Sequence, residues 1–329
     1  MSGHRQAVKS AFEALRIDSP TGFSWFGEPS PSLPPEVVER MGPEIARAYL
    51  CDRVQSQLYT GFYCAGRPVP PRAAHTGGRL HGNSTFIDSL SRANRGTGSH
   101  EAGWTVLREE EDGRVVVQRE GLSVWARPQD VRGGGPGSEV SVRLPAELLR
   151  LSPGFFMALG NEEVDNDEPF VRHYWHLTSG GGVALIAAAT EALNEAALPF
   201  RLKVLIDPDA YTRCDAGVLY TPRRLRKEVA ELLPALRGKV AAHLRPGTPA
   251  LTKPLAEGLG VAEDPAGGQS FGMDRCGILA EAMVRSSELG LEGDEERLAL
   301  VARCFGDQGI SFERPYLNAG SEDDYEALG

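Results

Sequence analysis

The sequence predicts an α+β fold, with a mixed or antiparallel sheet, flanking helices, an N-terminal helical part and a small β meander. Three observations support this. Strand-like period-2 segments and helix-like segments both occur, they follow one another in irregular order, and turn residues separate them. The 329 residues, 41% of them hydrophobic, suffice for one large domain or two ordinary ones. We expect an N-terminal part over residues 1–150, a chemistry-bearing part over 151–319 and a loose acidic tail over 320–329.

The N-terminal part begins with two predicted helices, over residues 7–16 and 35–58. Pro34 and Pro35 open the second helix, and a proline-rich loop over 18–34 precedes it. Apolar spacing predicts another helix over 86–94. Alternating residues then predict a meander of short strands, over 104–107, 115–118, 122–126 and 140–144. Because loops and short strands often carry recognition, we interpret residues 1–150 as peptide-binding territory.

The C-terminal part begins with a predicted strand over 171–177, a helix over 182–194 and a strand over 200–206. The helix is rich in strong helix formers and long enough to act as a crossover. Thr221 and Pro222 are an N-cap and first-turn proline for a helix to about residue 237. Further helices are predicted over 270–288 and 295–305.

Cationic side chains concentrate on the two predicted strands. Alternation places Arg172 and His176 on one strand face, and separates Arg201 and Lys203 from apolar neighbours. A lone strand histidine is usually a satisfied core or surface residue, and a lone strand lysine usually points to water. On neighbouring strands, together with Arg213, these cations would repel one another unless an anion were bound. The pattern therefore predicts an anion site.

Composition limits the other classes of function. The net charge of −10 argues against a general nucleic-acid binder. The five cysteines are scattered and form no CxxC pair, which favours a reducing cytoplasm. The longest apolar run, around 183–189, is too short to span a membrane. The glycine-rich loop 95–99 lacks a Walker lysine. We expect no metal and no cofactor, since the candidate ligands lack metal spacing or shape a turn: His75, His81, His100, Asp207, Asp209 and Asp215.

Five segments of the C-terminal part resemble the HopA-type effector family: 200–204, 211–220, 251–258, 262–265 and 270–276. The resemblance covers roughly residues 50–316. Members of this family stand alone as type III effectors of plant pathogens. In actinomycetes they occur beside kinase-like proteins in gene clusters for class V lanthipeptides and thioamitides, where they are taken to eliminate phosphate from phosphorylated Ser or Thr. The resemblance therefore implies a lyase-like C-terminal part.

A second similarity is to phosphothreonine lyase effectors and the lyase domains of lanthipeptide synthetases. The matching positions are Trp175-His176, Lys203, Arg213 and Leu219-Tyr220. This sequence departs from the pattern because Tyr174 stands where those lyases have a lysine, a charge that Arg172 or Lys253 would replace.

The resemblance implies a role for each candidate residue. Lys203 would be the catalytic base, removing the α proton in its neutral form, and His176 the catalytic acid that protonates the phosphate. Tyr220 or Tyr174 would orient the peptide. Four cations would hold the phosphate: Arg213, Arg275, Arg172 and Lys253.

The expected reaction converts phosphothreonine or phosphoserine of a precursor peptide into dehydrobutyrine or dehydroalanine. Its expected partners are that phosphorylated peptide and the kinase-like protein that phosphorylates it. Two alternatives remain open. A non-catalytic effector or scaffold domain would only capture a phosphopeptide or a protein. A metal-assisted phosphatase would hydrolyse the ester, but it needs clustered carboxylates that the sequence does not offer.

Overall fold

The computed structural model describes residues 3–71, 82–149, 152–165, 167–265 and 268–328. The described chain contains eight α-helices: α1 Gly3–Ala14, α2 Pro35–Arg40, α3 Pro43–Leu58, α4 Ser84–Ala93, α5 Ser179–Glu195, α6 Arg226–Val240, α7 Phe271–Glu288 and α8 Asp294–Asp307. Among these residues, no helix is both long and apolar enough to cross a bilayer. His75 and His81, which the sequence analysis considered as metal ligands, lie outside the described residues.

The strands form three sheets. The first contains β1 Leu15–Ser19, β2 Gly22–Trp25 and β3 Glu28–Pro29, in that order. The second has the order β6-β5-β4-β8-β7 and contains β4 His100–Glu109, β5 Val115–Arg119, β6 Leu122–Ala126, β7 Val131–Gly133 and β8 Glu139–Arg143. The third contains β9 Glu147–Leu148, β10 Phe155–Leu159, β11 Phe170–Trp175, β12 Arg201–Leu205, β13 Gly217–Pro222, β14 Lys253–Ala256 and β15 Leu259–Glu263.

The third sheet has the order β14-β15-β11-β13-β12-β10-β9, and every neighbouring pair is antiparallel. This architecture confirms the α+β prediction. It also confirms the strands predicted over 171–177 and 200–206, which are β11 and β12. The expectation that these strands are neighbours is wrong, because β13 lies between β11 and β12. The two strands run in the same direction, since each is antiparallel to β13, and α5 makes the crossover between them.

Helices cover the two faces of this sheet. On one face α5 packs so closely that a Cβ at Gly182 would collide with the Tyr211 hydroxyl, which donates to Leu205 O at 2.9 Å. On the other face, Phe271 of α7 lies 6.3 Å from Tyr174, ring centre to ring centre. The part of this second face that α7 leaves open carries Lys203.

Three elements of the N-terminal part differ from the predicted ones, and proline explains the first difference. The predicted helix over 35–58 is two helices, α2 and α3, because Pro43 has no N–H to continue a helix and instead starts a new one. The first predicted helix ends at Ala14, and residues 15–19 form a strand. The predicted loop over 18–34 contains β2 and β3.

Two predictions for the C-terminal part are also wrong. Thr221 and Pro222 do not cap a helix, since both belong to β13 and α6 begins at Arg226. The acidic tail is not loose. Asp323 bonds to Lys253 at 2.8 Å, Asp324 pairs with Arg226, and the Leu328 N–H donates to Leu255 O at 2.8 Å. Ion pairs and a backbone bond therefore hold the tail against the sheet edge at β14.

The buried imidazole of His173 should make the fold sensitive to acid. His173 is 2% exposed, lies between Leu219 and Val261 in the third sheet, and desolvation lowers its pKa to about 4. The unfolded chain binds this proton near pH 6.5 and the folded chain does not, so the stability falls as the pH drops from 6.5 toward 4. We expect a loss of about 3 kcal/mol from this residue. Urea unfolding across this pH range should be less pH-dependent for His173→Leu. Equal slopes for both proteins would contradict the assignment.

Candidate active site

The open part of the sheet face forms a cavity of about 690 Å³. Strands β10 to β13 supply its floor, and the segments that flank the sheet supply its walls. The described lining consists of Ser152, Met157, Asp167, Glu168, Pro169, Phe170, Arg201, Lys203, Tyr220, Asp264, Pro265, Gly268 and Asn318. Two cations therefore face the same space as three carboxylates.

Lys203 is held in the cavity by aromatic rings. Its Nζ lies 4.6 Å from the ring centre of Phe155 and 5.4 Å from that of Tyr220. Within the described chain, this amine makes no hydrogen bond or salt bridge. Two aromatic faces hold it by cation–π attraction, which leaves its hydrogen-bonding capacity for a ligand.

Arg172 lies behind the cavity and is paired. It is 8% exposed, forms an ion pair with Asp264, and places its guanidinium 5.0 Å from the Tyr220 ring centre. Burial raises the pKa of Asp264, although the Arg172 and Lys203 charges act in the opposite direction. Asp264 is therefore a cavity carboxylate whose charge is balanced by Arg172.

Arg201 lies beside Lys203 on the same strand face, with its guanidinium 5.8 Å from the Phe170 ring centre. Desolvation lowers the pKa of Arg201, while the charge of Glu101 on β4 opposes this shift. Even so, an arginine stays cationic. Arg201 thus adds a planar, forked donor to the cavity.

Arg213 lies next to the cavity, 6.0 Å from the Phe155 ring centre. Asp215 accepts from its Nε and Nη2, both at 2.7 Å, and the Tyr59 hydroxyl lies 3.1 Å from Nη2. Desolvation alone would raise the pKa of Asp215, but the charge and hydrogen bonds of Arg213 outweigh it and keep that pKa low. The pair is internally neutralised and does not line the cavity.

The other predicted phosphate ligands have different surroundings. Arg275 is 1% exposed, pairs with Asp274, and donates to Pro315 O at 2.8 Å and to Asn318 Oδ1 at 3.1 Å. It thereby supports Asn318, a lining residue. Lys253 is held at the tail, where it bonds to Asp323. The structure therefore does not bring Arg275 or Lys253 into the cavity.

His176 follows the end of β11 and is also absent from the described lining. The distance between its Nδ1 and Pro246 O is 2.9 Å, and desolvation lowers its pKa. Tyr174 is buried under Phe271 and Tyr63. The residues that the cavity does bring together are Lys203, Arg201, Tyr220 and Asp264.

Sequence reasoning missed Asp264, Phe155 and Asn318. Asp264 belongs to one of the segments that carry the family resemblance, so that segment was the available signal. Phe155 opens a strand whose unbroken apolar run has no alternation. Among the described residues, no cluster of His, Cys, Asp or Glu has the geometry of a metal site.

The fold and the cavity define an α+β protein with lysine and arginine on the open face of its largest sheet. The chain belongs to the HopA1 effector protein family, whose model matches residues 147–317. No curated protein matches the chain.

Two solved effector structures from Pseudomonas syringae are similar to the chain. For the protein of pv. tomato strain DC3000 the identity is 16% and the TM-score 0.47, covering 80% of this chain and 88% of that one. For the protein of pv. syringae strain 61 the values are 14% and 0.48, covering 97% and 99%.

Proposed function

We propose that this chain is a phosphothreonine/phosphoserine lyase, which eliminates phosphate from a phosphorylated precursor peptide to leave dehydrobutyrine or dehydroalanine. The observation that carries the proposal is the Lys203 amine. It lies at the floor of an open cavity, held by two aromatic rings and without a hydrogen-bond acceptor in the described chain. A base needs such access to the proton that it removes.

The reaction requires the transfer of the α proton to a base, the cleavage of the Cβ–O bond and a proton for the departing phosphate. Lys203 first loses its ammonium proton to water and then takes the α proton of the phosphorylated residue, and the electron pair left on Cα forms the Cα=Cβ double bond. The Cβ–O bond breaks, and its electron pair leaves with the phosphate. No oxidant or nucleotide enters this balance.

The phosphate in this proposal is held by Arg201, whose fork of N–H donors suits the oxygens of a phosphate. The departing phosphate takes its proton from water in the open cavity, since the Asp264 carboxylate is engaged by Arg172. Tyr220 stacks against both Arg172 and Lys203 and orients them. Arg172 and Arg213 do not contact the phosphate, because each is paired with a carboxylate beside the cavity.

The biosynthetic setting follows from the family resemblance. We propose that the substrate is a ribosomal precursor peptide of the lanthipeptide or thioamitide kind, and that a separate kinase-like protein phosphorylates it in the cytoplasm. The lyase then acts on the phosphorylated peptide.

A synthetic phosphothreonine peptide tests this function. In the presence of EDTA the purified chain should release phosphate and leave a peptide one water lighter than its unphosphorylated parent, since the proposed site uses no metal. With ATP, Mg²⁺ and the unphosphorylated peptide it should do nothing. Recovery of the parent mass would indicate a phosphatase. Binding without phosphate release would indicate the non-catalytic effector or scaffold domain.

A further inference from the structure

The five-stranded sheet is curled. Its edge strands β6 and β7 are joined by residues 127–130, which include a 3₁₀ turn at Pro128–Asp130. Even fully extended, such a link reaches only ~17 Å. Five strands lying flat would separate the two edges by about 19 Å. The edges must therefore bend toward each other, which leaves a seam between them.

A groove of about 540 Å³ lies at this seam. We call it the seam groove; it is lined by Thr97, Val124, Trp125, Ala126, Arg127, Asp130, Val142, Arg143, Leu144, Pro145 and Ala146. Most of these side chains are apolar. Trp125 of this lining is 64% exposed, and Leu122 on the same strand is 61% exposed. Exposed apolar surface beside a groove is typical of interaction sites.

The rim of the seam groove is cationic. Arg127 and Arg132 are exposed and form no ion pair with a described residue, and Arg143 donates to the Thr97 carbonyl, with Nε at 3.0 Å. Desolvation and then the charges of Arg132 and Arg143 lower the pKa of His100. The acidic residue of the described lining is Asp130. This local positive excess contrasts with the net charge of −10 of the whole chain.

The backbone of β6 is also open on one side. Within the described residues, β6 pairs with β5 and with no second strand. An edge strand of this kind can accept an added strand, whose alternate side chains then enter pockets. The groove thus combines a strand edge, an apolar floor and unpaired arginines.

We propose that the seam groove binds an extended, acidic segment of the peptide substrate, added as a strand to β6. Apolar side chains of the segment fill the groove, and its carboxylates meet Arg127, Arg132 and Arg143. Two contacts place this surface near the cavity: residues 144–146 of the lining lead directly into β9, and Glu101 of β4 acts on Arg201. That the bound peptide is a substrate rests on the proposed lyase function.

A fluorescent peptide of alternating Glu and Val provides a direct test by anisotropy. It should bind the wild-type chain, and Arg127→Glu/Arg132→Glu should weaken binding at least about tenfold. The matched peptide of alternating Lys and Val should then prefer the double variant. Arg40→Glu, at an exposed arginine of α2, is the control and should change nothing. Equal affinity of the wild type and the double variant, or no binding, would overturn the proposal.

Two further measurements separate this proposal from the lyase function. When the Glu/Val segment is fused to a phosphothreonine peptide, the double variant should raise KM and leave kcat unchanged. Peptide binding that depends on the arginines, without phosphate release, would support the groove proposal and contradict the lyase function. Phosphate release with the same KM in the double variant would support the lyase function and contradict the groove proposal. A dimer that Arg127→Glu/Arg132→Glu dissociates would assign the groove to a second copy of the chain, against the proposal.

Discussion

Lys203→Ala should remove nearly all phosphate elimination, lowering kcat by about 10²–10⁴. The base acts on the transition state more than on the bound substrate, so phosphopeptide affinity should stay within about tenfold of wild type. Because the amine makes no hydrogen bond or salt bridge in the described chain, the variant should also fold normally. Phosphate release and anisotropy, measured on the same phosphothreonine peptide, give both quantities.

Lys227→Ala provides the control, since Lys227 is an exposed lysine of α6 outside the cavity. It removes the same charge from the surface and should leave kcat unchanged. Near wild-type turnover in Lys203→Ala would show that another group is the base. A parallel loss of affinity and rate would instead assign Lys203 to phosphate binding.

Removing one partner of the Arg213–Asp215 pair should cause the largest loss of stability. The two side chains are 14% and 7% exposed and share two hydrogen bonds of 2.7 Å. Asp215→Ala leaves a guanidinium buried without its countercharge, which costs about 3–5 kcal/mol. The free energy of unfolding in urea measures this loss. Arg108→Ala breaks an exposed pair with Glu110 and should cost less than about 1 kcal/mol.

The pH dependence gives a second readout for this pair. The pKa of Asp215 is lowered in the folded chain, so its contribution is present above the unfolded pKa and lost as the pH falls through the folded value. Asp215→Asn should therefore flatten the acid side of the stability profile. If Asp215→Ala is as stable as wild type, the pair is not structural, and Arg213 regains its sequence-predicted role as a phosphate ligand.

Local patterns predicted two of the central strands and several helices. Alternation over residues 171–177 and 200–206 predicted β11 and β12, and the helix predicted over 270–288 is α7, whose N-cap Ser270 accepts from the Met273 N–H. The same alternation placed Arg172 and Lys203 each on one face of its own strand, and the register of both strands with β13 brings these two faces to the same side of the sheet.

Only the tertiary structure decided which of these cations keep a free hydrogen-bonding surface. Arg172 meets Asp264, and Lys253 meets Asp323, through contacts between residues far apart in the chain. The strand order also shapes the site. Strand β13 lies between β11 and β12, and its Tyr220 contacts both Arg172 and Lys203. Charge pairing depends on distance in space, which sequence spacing does not encode over such separations. The sequence alone therefore determined that Lys203 lies on a cationic strand face, and tertiary packing left its amine open to the cavity.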